Sequence, residues 1–161
     1  MATRVGAALR RAAPPTRRST PPAHPRSVDV RRAIVQVVYR PDRDGDADPG
    51  EVVWAWVPYE DDPRQGKDRP VVVIGQAGDR LAVVALTSRP HPERRDQIAV
   101  GTGPWDREGR ESYARLDRIL GLRPDQVRRE GSALERHRFD ELVAALSRRR
   151  GWPEVELVAP R

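Results

Sequence analysis

Residues 70–86, PVVVIGQAGDRLAVVAL, form the most strongly patterned stretch of the 161-residue chain. Two runs of β-branched and small apolar residues, 70–74 and 81–86, are each typical of a buried strand. The segment 75–80 between them carries two glycines, which suit a tight reversal of the chain. The sequence therefore predicts a buried antiparallel hairpin.

Shorter segments on both sides of the hairpin also have strand patterns. Residues 51–57 (EVVWAWV) alternate with a period of two, and both faces of this strand are expected to be largely covered. Further strands are predicted at 97–101, 112–116 and 118–122. Residues 123–127 (RPDQV) predict a turn or a single helical turn, because they start with Arg-Pro-Asp.

The C-terminal part of the chain predicts one amphipathic helix over residues 134–146, with apolar residues at helical spacing. Ser132 and Glu135 have the spacing of a capping box, and the helix is expected to end near 148–150, where Gly151 can close it. Many short strands followed by one helix predict a mainly β (α+β) fold. We expect a small SH3-like antiparallel barrel of five or six strands with a C-terminal helix.

The charge of the chain is concentrated near its N-terminus. The chain carries a formal charge of +6, but residues 1–40 hold nine Arg and one Asp, whereas residues 41–161 hold 21 Lys or Arg and 23 Asp or Glu. A site for a polyanion in the presumed domain must therefore be a local patch. No cysteine is present, which excludes disulfides and thiol catalysis. No apolar run approaches the length of a membrane span, so we expect a cytoplasmic protein without a membrane partner.

Composition divides the chain into four segments. Residues 1–32 are rich in Arg and Pro and predict a disordered leader. Residues 33–48 combine a short predicted strand (AIVQVVY) with an acidic linker. Residues 49–152 form the presumed barrel domain, and residues 153–161 a C-terminal tail.

The strand hairpin suggests a phosphate site at its open end. With the turn at its centre, Arg69 lies opposite Leu86 or Thr87, depending on a one-residue choice of register. An opposed guanidinium and hydroxyl would offer several donors to phosphate oxygens. The loop before the first strand of the hairpin brings Gln65, Gly66 and Lys67 next to this pair.

The three histidines have no partners at metal-ligand spacing, so no metal site is predicted.

Four strings of sequence around this pair occur in the order found in the MazF/PemK family of toxin endoribonucleases. They are PGEVVW (49–54), QGKDRPVVVI (65–74), ALTS (85–88) and GRESYARLDRI (109–119). The terminal helix also matches, and the resemblance covers about residues 49–150. The chain therefore resembles this family.

The resemblance implies that Arg69 and Thr87 are catalytic. It also implies metal-independent, sequence-selective cleavage of single-stranded RNA such as mRNA, without a cofactor, in which the 2′-hydroxyl attacks and a cyclic phosphate and a 5′-hydroxyl are left. A homodimer and a cognate antitoxin are expected partners. The general base stays open, and His91, which lies just beyond Thr87, is one candidate. Expected RNA-binding residues are Gln65, Gly66, Lys67, Ser88, Arg89, His91 and Trp105.

Two other functions remain open at the level of sequence. CcdB-type toxins use the same barrel to bind gyrase, and the chain could act in that way without nuclease activity. A catalytically silent RNA-binding regulator is the second alternative, since the loop 58–68 carries four carboxylates that repel phosphate. Trp54 and Trp56 are expected to pack in the core, whereas Trp105, in a loop, is the expected platform for a base.

Overall fold

The computed structural model describes residues 27–28, 39, 41, 46–149 and 155–161. These residues form nine strands, one 3₁₀ turn and one α-helix. In chain order they are β1 (Ser27–Val28), β2 (Glu51–Pro58), β3 (Gly66–Ala77), β4 (Arg80–Thr87), β5 (Gln97–Gly101), β6 (Ser112–Arg115), β7 (Ile119–Leu122), the 3₁₀ turn (Pro124–Gln126), β8 (Val127–Ala133), α1 (Arg136–Arg148) and β9 (Val155–Leu157).

The strands form one curled, mainly antiparallel sheet. Its main path runs β1-β9-β7-β4-β3-β2-β8, and β6 joins β4 to β5. The β7–β9 pair is parallel, and the other described pairs are antiparallel. The predicted mainly β fold with a C-terminal helix is thereby confirmed. The described residues contain nine strands, so the expected number of five or six was too low.

The central hairpin is formed by β3 and β4, as the sequence predicts. Ala77 pairs with Arg80, which leaves a two-residue turn, and Gly78 takes a left-handed conformation there with φ of 65°. The register shifts by one residue between Val73 and Gly75, which marks a β-bulge. This bulge sets the alignment of the other end of the hairpin, where the candidate site lies.

Alternating residues of the hairpin face two separate apolar clusters. Val72 and Val84 belong to a cluster that includes residues of α1, whereas Val71, Val73 and Ala85 belong to a second cluster on the other face. All five are between 0 and 8% exposed. Because both faces are covered, the hairpin is a rigid support for the residues at its end.

The helix begins two residues later than the sequence suggests. Glu135 is its N-cap and makes no side-chain capping bond, while Ser132 lies in β8. The predicted capping box was therefore wrong, because pairing of β8 with β2 holds Ser132 in the sheet. Leu134 precedes the helix but is still buried at 1% exposure. No helix of the described segments has the length and apolar character needed to cross a membrane.

Residues from outside the expected barrel domain, on both sides of it in the chain, add strands to the sheet. Ser27–Val28 pair with β9, and β9 pairs with β7, so residues 155–157 of the expected tail join the sheet edge. The rest of the expected leader, residues 1–26 and 29–32, lies outside the described residues. Of the predicted strand 33–39 only Tyr39 is described, and its hydroxyl donates to the carbonyl of Leu134 at 2.7 Å.

Candidate active site

The candidate site lies where β3 and β4 separate. Their pairing ends at Val71 and Ala85, after which β3 continues along β2 and β4 continues along β6. Continuing the same register by two residues places Arg69 opposite Thr87. Arg69 and Thr87 both line the cavity that opens where the strands separate. The bulge thus selects the Thr87 register from the two that the sequence left open.

A cavity of about 670 Å³ opens at this point. Its walls come from β2, β3, β4 and β8 and from the loop before β6. Gln65 and Gly66 are not among its lining residues. The other expected site residues line it: Lys67, Arg69, Thr87, Ser88, Arg89, His91 and Trp105.

Arg69 is half-buried in this cavity and has no carboxylate partner among the described residues. Burial is the main cause that lowers the pKa of Arg69, and the positive charges of Arg115 and Arg89 lower it further, against an opposing influence of Tyr59. An arginine nevertheless stays charged in a protein. A half-buried cation whose neighbours are also cationic favours the binding of an anion beside it.

Thr87 lines the cavity with a hydroxyl group that accepts one hydrogen bond from the backbone. The backbone N–H of Arg89 donates to Thr87 Oγ1 at 3.2 Å. Because this bond uses the oxygen as an acceptor, the hydroxyl hydrogen remains available to a ligand. Thr87 itself pairs with Tyr113 of β6, which fixes its backbone.

Most acidic groups of the cavity are already bound to arginines. Asp68 accepts hydrogen bonds from Arg128, Asp106 accepts from Arg110 at 3.0 Å, and Glu108 lies 3.2 Å from Arg110. The lining holds six Lys or Arg and four Asp or Glu, so positive charge is in excess. The local positive patch that the sequence requires for a polyanion is therefore present at the end of the hairpin.

The loop between β2 and β3 is closed by its own hydrogen bonds. Asp62 accepts side-chain bonds from Arg64 and from Gln65, at 3.0 Å each, and these bonds lower the pKa of Asp62 to about 2. Gly66 pairs with Pro58 and packs against Trp56, where a Cβ atom would come within 2.6 Å of the indole ring. The RNA-binding roles expected for Gln65 and Gly66 thus fit less well than those of the cavity residues.

Trp105 is buried, although the sequence places it in a loop. Its exposure is 5%, and its indole N–H donates to Ser112 Oγ at 2.9 Å. The ring also packs on Gly103, where an added Cβ atom would lie 2.1 Å from it. Stacking of a nucleobase on Trp105 therefore does not fit the structure. Trp105 instead packs inside the protein and lines the cavity. Trp54, which is half-buried, also lines it.

Two walls of the cavity were not predicted from the sequence. Arg128 and Glu130 lie on β8, which pairs with the edge of β2. The sequence of β8, VRREGSA, has few apolar residues and therefore gives no clear strand signal. The remaining missed wall is the loop before β6, which contributes Asp106, Arg107, Glu108 and Arg110.

Together, the curled sheet with its C-terminal helix and an anion-suited cavity define a small β-barrel-like protein with a candidate nucleic-acid site. The sequence model of one protein family, the PemK-like, MazF-like toxins of type II toxin-antitoxin systems, matches residues 48–148. The chain belongs to this family, as its resemblance predicts. Membership of this family implies an antitoxin partner. Individually curated proteins give no significant match to the chain.

Proposed function

We propose that this toxin is a metal-independent endoribonuclease that cleaves single-stranded RNA, with mRNA as its substrate. The observation that carries the proposal is that Arg69 and Thr87, one from each strand of a rigid hairpin, line the same cavity. The guanidinium has no carboxylate partner among the described residues, and the hydroxyl hydrogen is free. A gyrase-binding surface has no need of this pair.

The reaction that fits the site is an internal transfer at phosphorus. The 2′-hydroxyl oxygen forms a bond to the neighbouring phosphorus, the P–O5′ bond breaks, and a 2′,3′-cyclic phosphate and a 5′-hydroxyl result. Negative charge increases on the phosphoryl oxygens in the transition state. Arg69 and Thr87 would donate hydrogen bonds to these oxygens, and each such donor is worth about 3 kcal/mol in comparable oxyanion sites.

His91 is the group that we assign to proton transfer. Three carboxylates of the cavity are neutralised by Arg128 and Arg110, which makes them poor proton acceptors. His91 follows Thr87 by four residues, and its backbone N–H donates to Gln97 Oε1 at 3.0 Å. An exposed imidazole in this place can take the proton of the 2′-hydroxyl, which the leaving 5′-oxygen must finally recover.

The proposal is tested by incubating the full chain with a long single-stranded RNA in the presence of EDTA. Discrete cuts with 5′-hydroxyl and cyclic phosphate ends support metal-independent cleavage. Intact RNA that is bound by the folded protein would favour a silent RNA-binding regulator. Intact RNA without binding would leave a gyrase-type inhibitor as the next candidate, to be tested by a pull-down with gyrase.

Replacement of His91 by alanine is expected to lower the cleavage rate by about 100-fold, the lower end of the range for general acid-base catalysis. Added imidazole should restore part of the lost activity, because it can replace the missing base. Glu130→Gln tests the competing candidate, since Glu130 is the fourth carboxylate that lines the cavity. If Glu130→Gln lost more activity than His91→Ala, the base would be Glu130.

The partners follow from the family and from the proposed substrate. We infer a homodimer in which the RNA groove is shared between two copies, and a cognate antitoxin that covers this groove and binds DNA together with the toxin. Because the proposed substrate is mRNA, we place the protein in the cytoplasm.

A further inference from the structure

A second cavity lies on the other side of Arg69. It has a volume of about 320 Å³, and Arg69 lines it as well as the larger cavity. Its walls come from the end of β2, the loop after it, and the segment around β6 and β7. The two cavities therefore meet at the arginine assigned to the scissile phosphate. Among its lining residues are Glu60, Asp61, Arg94, Arg115 and Arg118.

Arg115 is the cation of this cavity with one fixed and one replaceable partner. Its Nε and Nη2 donate to Asp117 at 3.2 and 2.6 Å, and both side chains are less than a quarter exposed. Nη2 also donates to Glu60 Oε1 at 2.6 Å. The Glu60 side chain is 53% exposed, and exposed ion pairs of this kind contribute little stability.

Other arginines of the cavity have less to offer an incoming anion. Arg118 donates to both carboxylate oxygens of Glu156 and to the carbonyl of Pro58, and its side chain is 12% exposed. Arg94 is 51% exposed and lies 3.9 Å from Asp96 at the rim. Arg115 is therefore the arginine next to Arg69 that can exchange its partner Glu60 for an incoming anion.

The charges of Arg69 and Arg115 also favour an anion between them. Arg115 is the neighbouring charge that acts most strongly on Arg69, where it opposes the positive form. Arg115 is paired with Asp117 and, in the absence of RNA, with Glu60, whereas Arg69 has no carboxylate partner among the described residues. A further negative group at the junction of the two cavities would relieve this repulsion.

We propose that the second cavity binds the phosphodiester next to the scissile one, and that this phosphate displaces the carboxylate of Glu60 from Arg115. The inference rests on RNA as the ligand, which the proposed function supplies. Glu60 occupies the donor that the RNA backbone needs, so it weakens the binding of RNA. The acidic loop thus limits affinity through one specific contact rather than through a general repulsion.

The test measures binding of the full chain to a fluorescent 2′-O-methyl RNA of mixed sequence. This oligonucleotide has no free 2′-hydroxyl and cannot be cleaved, so its binding is independent of the catalytic proposal. Glu60→Gln is expected to tighten binding by about three- to ten-fold. The same phosphate contact forms in the wild type, so it is Arg115→Gln that should make the plot of log affinity against log salt shallower by about 0.7, the value for the loss of one phosphate contact on a single strand.

Asp61→Asn is the matched control. Asp61 lines the same cavity and loses the same charge, but no contact joins it to an arginine in the described part of the chain. Its substitution should change binding by less than two-fold. In an Arg115→Gln background whose thermal unfolding is still cooperative, Glu60→Gln should no longer tighten binding.

The outcomes separate the two proposals. An equal gain from Glu60→Gln and Asp61→Asn, or no gain from either, would overturn the phosphate subsite. If Glu60→Gln tightened the binding of an acidic peptide but not of RNA, the proposed phosphate subsite would also be overturned. A third result is that the wild type fails to cleave RNA in EDTA while Glu60→Gln still binds the 2′-O-methyl RNA more tightly. That result would reject the nuclease reaction and support the phosphate subsite.

Discussion

Replacing Arg69 with alanine is expected to lower RNA cleavage by at least about 1000-fold while the protein stays folded. The loss is large because a guanidinium supplies two donors and a charge to the transition state, and a single donor of this kind accounts for a factor of about 100 to 1000. Stability should change little, since Arg69 has no carboxylate partner in the described residues that its removal would leave unpaired. Cleavage rates and thermal unfolding of the same preparations check both parts.

Arg107→Ala is the control for this prediction. Arg107 lines the same cavity but is exposed at its rim, so it contributes mainly to long-range attraction. Its loss should lower cleavage by at most about ten-fold, and less at high salt. Cleavage by Arg69→Ala at the rate of the wild type would show that the phosphate is bound elsewhere.

The sequence allowed the central hairpin to be predicted because its signals are local. Its apolar runs, its glycine-containing turn and the alternation of its side chains restricted the partner of Arg69 to two residues. The bulge between Val73 and Gly75 then decided between them. Gly75 is an ambiguous signal for this bulge, because a glycine is also typical of the turn to which the sequence assigns it.

Other parts of the site depend on contacts between distant residues. Strand β8 has charged residues and a glycine in its centre, and it forms because the edge of β2 offers hydrogen bonds. Trp105 is buried because Ser112 accepts its N–H and Gly103 leaves room for its ring. Arg115 and Glu60 are 55 residues apart in the chain, so no pattern of spacing could indicate their contact.

The largest effect on stability is expected from Phe139→Ala. Phe139 is 1% exposed in the cluster between α1 and the sheet, and its ring lies 5.4 Å from that of Tyr39, centroid to centroid. Loss of a buried phenyl ring removes transfer energy and leaves a cavity, which together cost about 3–5 kcal/mol. In a chain of this length the midpoint of thermal unfolding should fall by roughly 6–20 °C.

Glu141→Ala on the exposed side of the same helix serves as the control, and it should change stability by less than about 0.5 kcal/mol. A loss below about 1 kcal/mol for Phe139→Ala would contradict the docking of α1 on the sheet.

Phe139 does not line the cavity of Arg69 and Thr87. At temperatures where Phe139→Ala is still folded, it should therefore cleave RNA at the rate of the wild type, whereas Arg69→Ala should be stable and inactive. This opposite behaviour follows from the separation of two regions: the apolar cluster between α1 and the sheet supports the fold, and the open end of the hairpin holds the reacting groups.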